Sequence, residues 1–254
     1  MKIRFLGTGT STGIPQIGCD CKVCRSTDPR DCRTRSSILV STNGLTFLID
    51  CGPDFRTQIL DCDSPHIDAL LITHSHYDHV GGMDDLRPYC DGAQFPVYCK
   101  QDVANDLYSR LPYCFSNHLY PGVPTFNMNI IHEKEYFYIG DVKVTPIPVM
   151  HFKLPILGYR IGNFAYITDC KTISDESVKL LMGIDTLVIN ALRKTPHISH
   201  MALNDAISLI KDIAPRQAYL THLSHDMGLH ADTEKELPHN IKIATDGLVV
   251  AITD

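Results

Sequence analysis

Between residues 74 and 79 the chain reads His74-Ser75-His76-Tyr77-Asp78-His79, three imidazoles and a carboxylate in six residues. Imidazole and carboxylate suit zinc, manganese or iron, and donors that converge on one point are costly to hold together unless a cation sits among them. A second group of donors stands nearer the start, at Cys19-Asp20-Cys21-Lys22-Val23-Cys24. Three thiols at spacings of two and three can bite one tetrahedral ion and leave a fourth corner to be supplied from elsewhere, for which His225 is a candidate. Cys32, Cys51, Cys62, Cys90, Cys99, Cys114 and Cys170 lack ligand spacing and read as buried or idle thiols.

The histidine cluster directly follows the apolar run 67–73, so a strand must deliver it. Residues 1–6 read as a strand and 7–15 as a tight Gly-rich loop near the cleft. The loop lacks the Lys-Ser/Thr ending of a phosphate-binding P-loop and any helical pattern after it. Strands at 36–40 and 45–49 flank Asn43-Gly44, a strong hairpin signal because both residues tolerate positive φ. Asp50 follows the second of them, placed to orient the metal loop through hydrogen bonds rather than to bind metal.

Helical spacing appears at 53–60 and 100–111, and between them Arg87 reads as the partner of Asp84 or Asp85 in an internal ion pair. The aromatics of 89–126, Tyr120 among them, can shape a pocket or pack an irregular loop. The second half repeats strand, then polar residue. Residues 142–150 are extended, since their prolines exclude a helix, and end at His151; 164–168 end at Asp169 and 217–221 at His222. A helix at 175–182, a strand at 186–190 and a helix at 204–213, with Ile207, Ile210 and Ala214 on one face, lie between the last two. Alternating strands and helices without a linker predict one α/β domain over 1–254, built of two similar halves.

Composition narrows the function. With 23 Lys and Arg against 29 Asp and Glu the formal charge is -6, which argues against a long-range pull on nucleic acid or an anionic membrane, although bound cations would soften it. The 44% hydrophobic content supplies a core. No run approaches the ~18 apolar residues of a membrane span, and the N-terminus enters a strand at once, so a soluble, cytoplasmic protein is expected, with its ten cysteines reduced or metal-bound.

His74-x-His76-x-Asp78-His79 followed by Gly81-Gly82 resembles the signature of the metallo-β-lactamase fold superfamily. The resemblance implies a four-layer αββα sandwich with two metals at one edge. It also implies three further ligands, each at a strand end, and the chain offers His151, Asp169 and His222 in order. One ion would then be held by His74, His76 and His151, the other by Asp78, His79 and His222, with Asp169 bridging. Two such cations lower the pKa of a shared water to near 7 and stabilise the oxygens of an attacked phosphorus.

The Cys triplet, His225 three residues after His222, and the 7–18 opening resemble the PhnP-type cyclic phosphodiesterases of phosphonate (carbon–phosphorus lyase) metabolism over nearly the whole chain. That likeness implies hydrolysis of a small cyclic phosphodiester, ribosyl or nucleoside, with two zinc or manganese ions. It implies a structural zinc on Cys19, Cys21, Cys24 and His225. His200 resembles the residue that assists the leaving oxygen in phosphodiesterases of this superfamily, whereas His197 reads as a capping or surface residue. Asp78 and His200 are thus the candidate catalytic residues. The expected partner is a small phosphodiester rather than a membrane or a long nucleic acid, and a homodimer is compatible with the reading. Rival readings are another hydrolase of the fold (a tRNA 3′-end endonuclease, lactonase, thioesterase or β-lactamase) or a noncatalytic metal-binding carrier or sensor. No basic, Gly-rich arm of the tRNA endonuclease kind is visible, and the full set of ligands argues against a noncatalytic role.

Overall fold

A computed structural model describes residues 1–90, 92–116 and 121–252; Tyr120 lies outside the described residues. One sheet has the order β15 (Val249–Ala251), β1 (Lys2–Gly7), β2 (Ser37–Thr42), β3 (Leu45–Ile49), β4 (Ala69–Leu71), β5 (Phe95–Cys99), β6 (Phe126–Ile130). The other runs β11 (Thr172–Ile173), β8 (Val142–His151), β9 (Leu154–Ile161), β10 (Phe164–Ile167), β12 (Thr186–Asn190), β13 (Gln217–Thr221), β14 (Ile241–Ile243), with β7 (Phe137–Ile139) paired to β8. β3 to β6 are mutually parallel, as are β10, β12, β13 and β14. Parallel strands need cover on both faces, and the alternation of side chains shows where it comes from.

Phe47, Ile49 and Leu71 of the first sheet meet Tyr159, Phe164, Tyr166 and Val188 of the second in a central core. Leu48, Leu70 and Val97 point the other way and pack with Phe55 and Ile59 of α1 (Phe55–Leu60) and with Val103 and Leu107 of α3 (Gln101–Arg110). On the far side Leu187, Ile189 and Leu220 pack under Leu181 of α4 (Asp175–Leu181) and Leu203, Ala206 and Ile210 of α5 (Leu203–Ile213). Helices, two sheets and helices again make the expected four-layer αββα sandwich. The short α2 (Tyr77–Val80) carries part of the histidine cluster, and α6 (His230–Thr233) closes the chain near its end.

Asn43 and Gly44, at φ 50° and 78°, turn the predicted hairpin between β2 and β3. Two expectations need correction. The run 67–73 is a regular strand only over Ala69–Leu71; at its ends side chains join the backbone bonds, the Asp68 carboxylate accepting from Thr46 N at 2.7 Å and Thr73 N donating to Asp50 Oδ1 at 2.8 Å. The buried face of α5 is Leu203, Ala206, Leu209, Ile210 and Ile213, with Ile207 at its margin. Ala214 is exposed and ends the helix at a left-handed φ of 54°, so it cannot share that face. Arg87 pairs with Asp84 at 2.8 Å, as expected, on an exposed 3-10 turn over Met83–Tyr89.

Candidate metal centre

β8 and β10 are both antiparallel to β9, and β10, β12 and β13 are parallel, so the strands leading to His151, Asp169 and His222 all end at one edge. β4 delivers the histidine loop to that edge from the facing sheet, held across the gap by Leu157 N on Thr73 O at 3.1 Å and Tyr159 Oη on Ile72 O at 2.6 Å. Asp50, Asp169 and His222 adopt left-handed φ values of 62°, 54° and 57° where their strands stop. Asp and His are among the residues that tolerate this region, and the turn swings each side chain off the sheet at the edge.

Donor atoms of His74, His76, His151 and Asp169 lie within 4.8 Å of one another, and so do those of Asp78, His79, Asp169 and His222. Asp169 belongs to both groups, the place the resemblance gave it. Its Oδ1 is 3.3 Å from His79 Nε2 and 3.1 Å from His222 Nε2, while Oδ2 is 3.9 Å from His74 Nε2. The Nε2 atoms of His74, His79 and His222 are buried and have no hydrogen-bond partner among the described residues. Buried polar atoms of this kind are expensive, and a divalent cation among them removes the cost; the residues therefore fit two metal ions.

The electrostatics agree. Burial opposes charge on His79, but the carboxylates of Asp169, Asp78 and Asp50 overcome it and raise its pKa well above the usual imidazole range. Burial likewise opposes ionisation of Asp78 and Asp169, yet neighbouring imidazoles hold both carboxyls below the ordinary range. The point between these groups favours positive charge, from a proton or from a cation. His74 goes the other way, burial and His79 keeping it neutral and able to ligate.

Outer partners fix the rings. Asp50 Oδ2 bonds His79 Nδ1 at 2.7 Å and Thr73 Oγ1 at 2.9 Å, and Thr73 Oγ1 in turn meets His74 Nδ1 at 3.0 Å. His151 Nδ1 donates to the Ser199 carbonyl at 2.9 Å. Anchoring Nδ1 aims Nε2 at the metal and raises its basicity. Asp50 thus orients the metal loop, as its position predicted. The roles of Thr73 and the Ser199 carbonyl were missed, and a backbone acceptor leaves no trace in the residue pattern.

His200 reaches the same point. Its Nε2 lies 3.2 Å from Asp169 Oδ2, and its ring stacks on His222 at 5.0 Å between centroids. Burial lowers its pKa, opposed by the Asp169 hydrogen bond. His197 stands behind it, sharing Ser199 Oγ with His200 Nδ1 at 3.2 and 2.9 Å. His197 thus neighbours His200 and belongs to neither donor group.

The remaining donors meet at a separate place. The sulfurs of Cys19, Cys21 and Cys24 lie 3.2, 3.6 and 3.3 Å from His225 Nδ1, a four-donor set of zinc type. A hydrogen bond from Cys24 N draws the Cys21 thiol down to about 7, toward the thiolate a metal needs. Of the other cysteines, Cys51, Cys90, Cys99, Cys114 and Cys170 are buried, Cys62 is half-buried and Cys32 is exposed. Cys21→Ser is expected to remove one tightly held ion per chain and to lower Tm by roughly 5 °C or more, since structural zinc contributes directly to folding. Elemental analysis and thermal melts check this, and unchanged ion content with an unchanged Tm would refute it.

The family described as Beta-lactamase superfamily domain matches residues 46–223. The crystal structure of a diphosphatase from the PhnP family superposes with a TM-score of 0.91 at 39% identity, covering 98% of this chain and 96% of that one. Zinc-bound PqqB from Methylobacterium extorquens superposes at 0.81 with 21% identity, over 99% and 100% of the two chains, a likeness of fold. In sequence, an octanoyltransferase of Porphyromonas gingivalis is 43% identical over the whole of this chain, which covers 52% of that protein. The chain spans about half the length of the curated relatives it matches.

Proposed function

Because the chain belongs to the β-lactamase superfamily domain family and has a metallo-β-lactamase fold related to that of the PhnP family, we propose that it is a binuclear metal-dependent phosphodiesterase acting on small cyclic phosphodiesters. The observation that carries the reading is Asp169, shared by two four-donor groups with His200 at 3.2 Å.

In this reading His74, His76 and His151 would hold one cation and Asp78, His79 and His222 the other, with Asp169 available to both. Zinc or manganese there would supply Lewis acidity for the phosphoryl oxygens and a water nucleophilic at neutral pH. The protein's part is placement. Asp50 and the Ser199 carbonyl hold His79 and His151 in fixed rotamers, so the donors need not reorganise as charge develops. His200, the residue after the Ser199 carbonyl that anchors His151, would give a proton to the leaving oxygen, with its Nε2 held at the cleft 3.2 Å from Asp169 Oδ2.

Phosphorus is favoured over a carbonyl by this proton donor beside the full ligand set and by the Cys19, Cys21, Cys24 and His225 group, which accompanies the PhnP resemblance. The formal charge of -6 favours a small substrate, since a long polyanion needs several cationic contacts away from the metals. Acyl transfer or thioester hydrolysis is the second reading, kept by the likeness to the octanoyltransferase. That name belongs to a protein about twice as long. A membrane role has no support among the described residues, where no helix is long and apolar enough to cross one.

One screen separates the readings. With zinc or manganese, the purified protein is expected to hydrolyse bis(p-nitrophenyl) phosphate and 2′,3′-cyclic nucleotides, and to act poorly on tRNA precursors, β-lactams, lactones and octanoyl thioesters. A fully metallated protein that cleaved an acyl substrate efficiently and left every phosphodiester intact would overturn the proposal.

A further inference from the structure

Three exposed apolar side chains stand next in sequence to residues of the His74, His76 and His151 group or to its anchor. Tyr77 follows His76 and is 66% exposed, Phe152 follows His151 and is 48% exposed, and Ile198 precedes Ser199, whose carbonyl anchors His151, and is 68% exposed. The rings of His76 and His151 lie 5.1 Å apart. Residues 77 and 152 are therefore each one step along the chain from donors that meet at one ion site, Ile198 is one step from the carbonyl that anchors His151, and His76 is the exposed member of the group.

The backbone gives up conformational freedom to place Phe152. His151 pairs with Leu154, which leaves Phe152-Lys153 as a two-residue hairpin turn, and Phe152 sits at φ 54° in the first turn position. Glycine is the residue that conformation favours, and a bulky aromatic there is a marked outlier. Strain of this kind persists where the surroundings enforce it and clusters at ligand clamps. Tyr77 is seated differently. A Cβ on Gly81 would come within 2.7 Å of the Tyr77 ring, so the ring lies directly against a bare backbone, one face supported and the rest left to solvent. The Lys153 ammonium stands 5.4 Å from the centroid of the Phe152 ring.

We propose that Tyr77 and Phe152, with Ile198 beside them, form a subsite for a planar aromatic group of the substrate, of the nucleobase kind, next to the metal-held phosphate. This rests on the phosphoester reading of the cleft and narrows it to the nucleoside class over a bare ribosyl phosphate. Aromatic rings accept a base by stacking without reading its identity, so the subsite favours a base without choosing one. Tyr136 and Tyr138, also exposed, pack as a T-shaped pair on and beside β7 with ring centroids 5.9 Å apart.

Equilibrium binding tests the subsite apart from turnover. On the zinc-loaded protein, calorimetry should find adenosine monophosphate bound about ten-fold more tightly than ribose 5-phosphate, the worth of one stacked base. Tyr77→Ala and Phe152→Gly should each shrink that ratio, Tyr77→Phe should keep it, and Phe152→Gly should melt no lower than the parent because it relieves the φ. In kinetics the ratio of kcat/KM for 2′,3′-cyclic AMP over an abasic ribosyl cyclic phosphate should fall in the same two variants, through KM. Equal affinity for the two ligands in the parent protein, or a ratio that survives both substitutions, would overturn the subsite. Loss of phosphodiester turnover with the binding ratio intact would count against the reaction alone.

Discussion

Asp169→Ala is expected to abolish turnover, by a factor of about 10³ or more, and to empty both cation sites together. Among the described residues no other side chain serves both donor groups, and its two oxygens lie 3.1 to 3.9 Å from the Nε2 atoms of His79, His222, His74 and His200. Removing it leaves three buried imidazoles facing one another, with the positive charge at His79 relying on Asp78 and Asp50. Elemental analysis alongside steady-state kinetics is the measurement. A variant that kept two cleft ions per chain would show that the carboxylate does not bridge.

His200→Ala should separate chemistry from metal binding. It is absent from both donor groups although its ring packs 4.6 Å from His151 and 5.0 Å from His222, so the ions should stay while kcat for phosphodiesters falls by about 10² or more. A substrate with a good leaving group, such as a p-nitrophenyl ester, should lose less, because its oxygen departs with little need of a proton. If the variant lost metal in step with rate, or if both leaving groups suffered equally, His200 would be a scaffold for Asp169 instead of an acid.

Much of this centre could be read from the chain because each donor closes a segment with an unmistakable pattern. Apolar stretches lead directly into His74, His151, Asp169 and His222, and a strand end is where a side chain can leave the sheet. Asp50 was legible for the same reason, and its position argued orientation over ligation. The thiol triplet declared itself by spacing, and His225 by its distance from His222. What stayed hidden depends on partners without a pattern. The Ser199 carbonyl is backbone, and the turn at Phe152-Lys153 carries no Gly or Asn to announce it. The buried face of α5 was misjudged because Ala206 and Leu203, at its weaker-looking positions, fill the space under β12 while Ala214 already belongs to the exit turn.

The left-handed residues at the strand ends also bear on how this chain would respond to stabilisation. Asp50, Asp169 and His222 hold φ near 60° at the points where the centre is assembled, and backbone of this kind costs of order 1–3 kcal/mol per residue relative to a relaxed conformer. Glycine or asparagine would relieve part of that cost at each position. At these residues, however, the relief would be offset by buried imidazoles left without their carboxylate partners, so a selection for heat resistance would gain little at the metal edge. Screening for thermostability in this scaffold should hold these positions fixed and seek gains at turns such as Asp63 and Lys134, where φ is 61° and 67° and which belong to none of the donor groups found among the described residues.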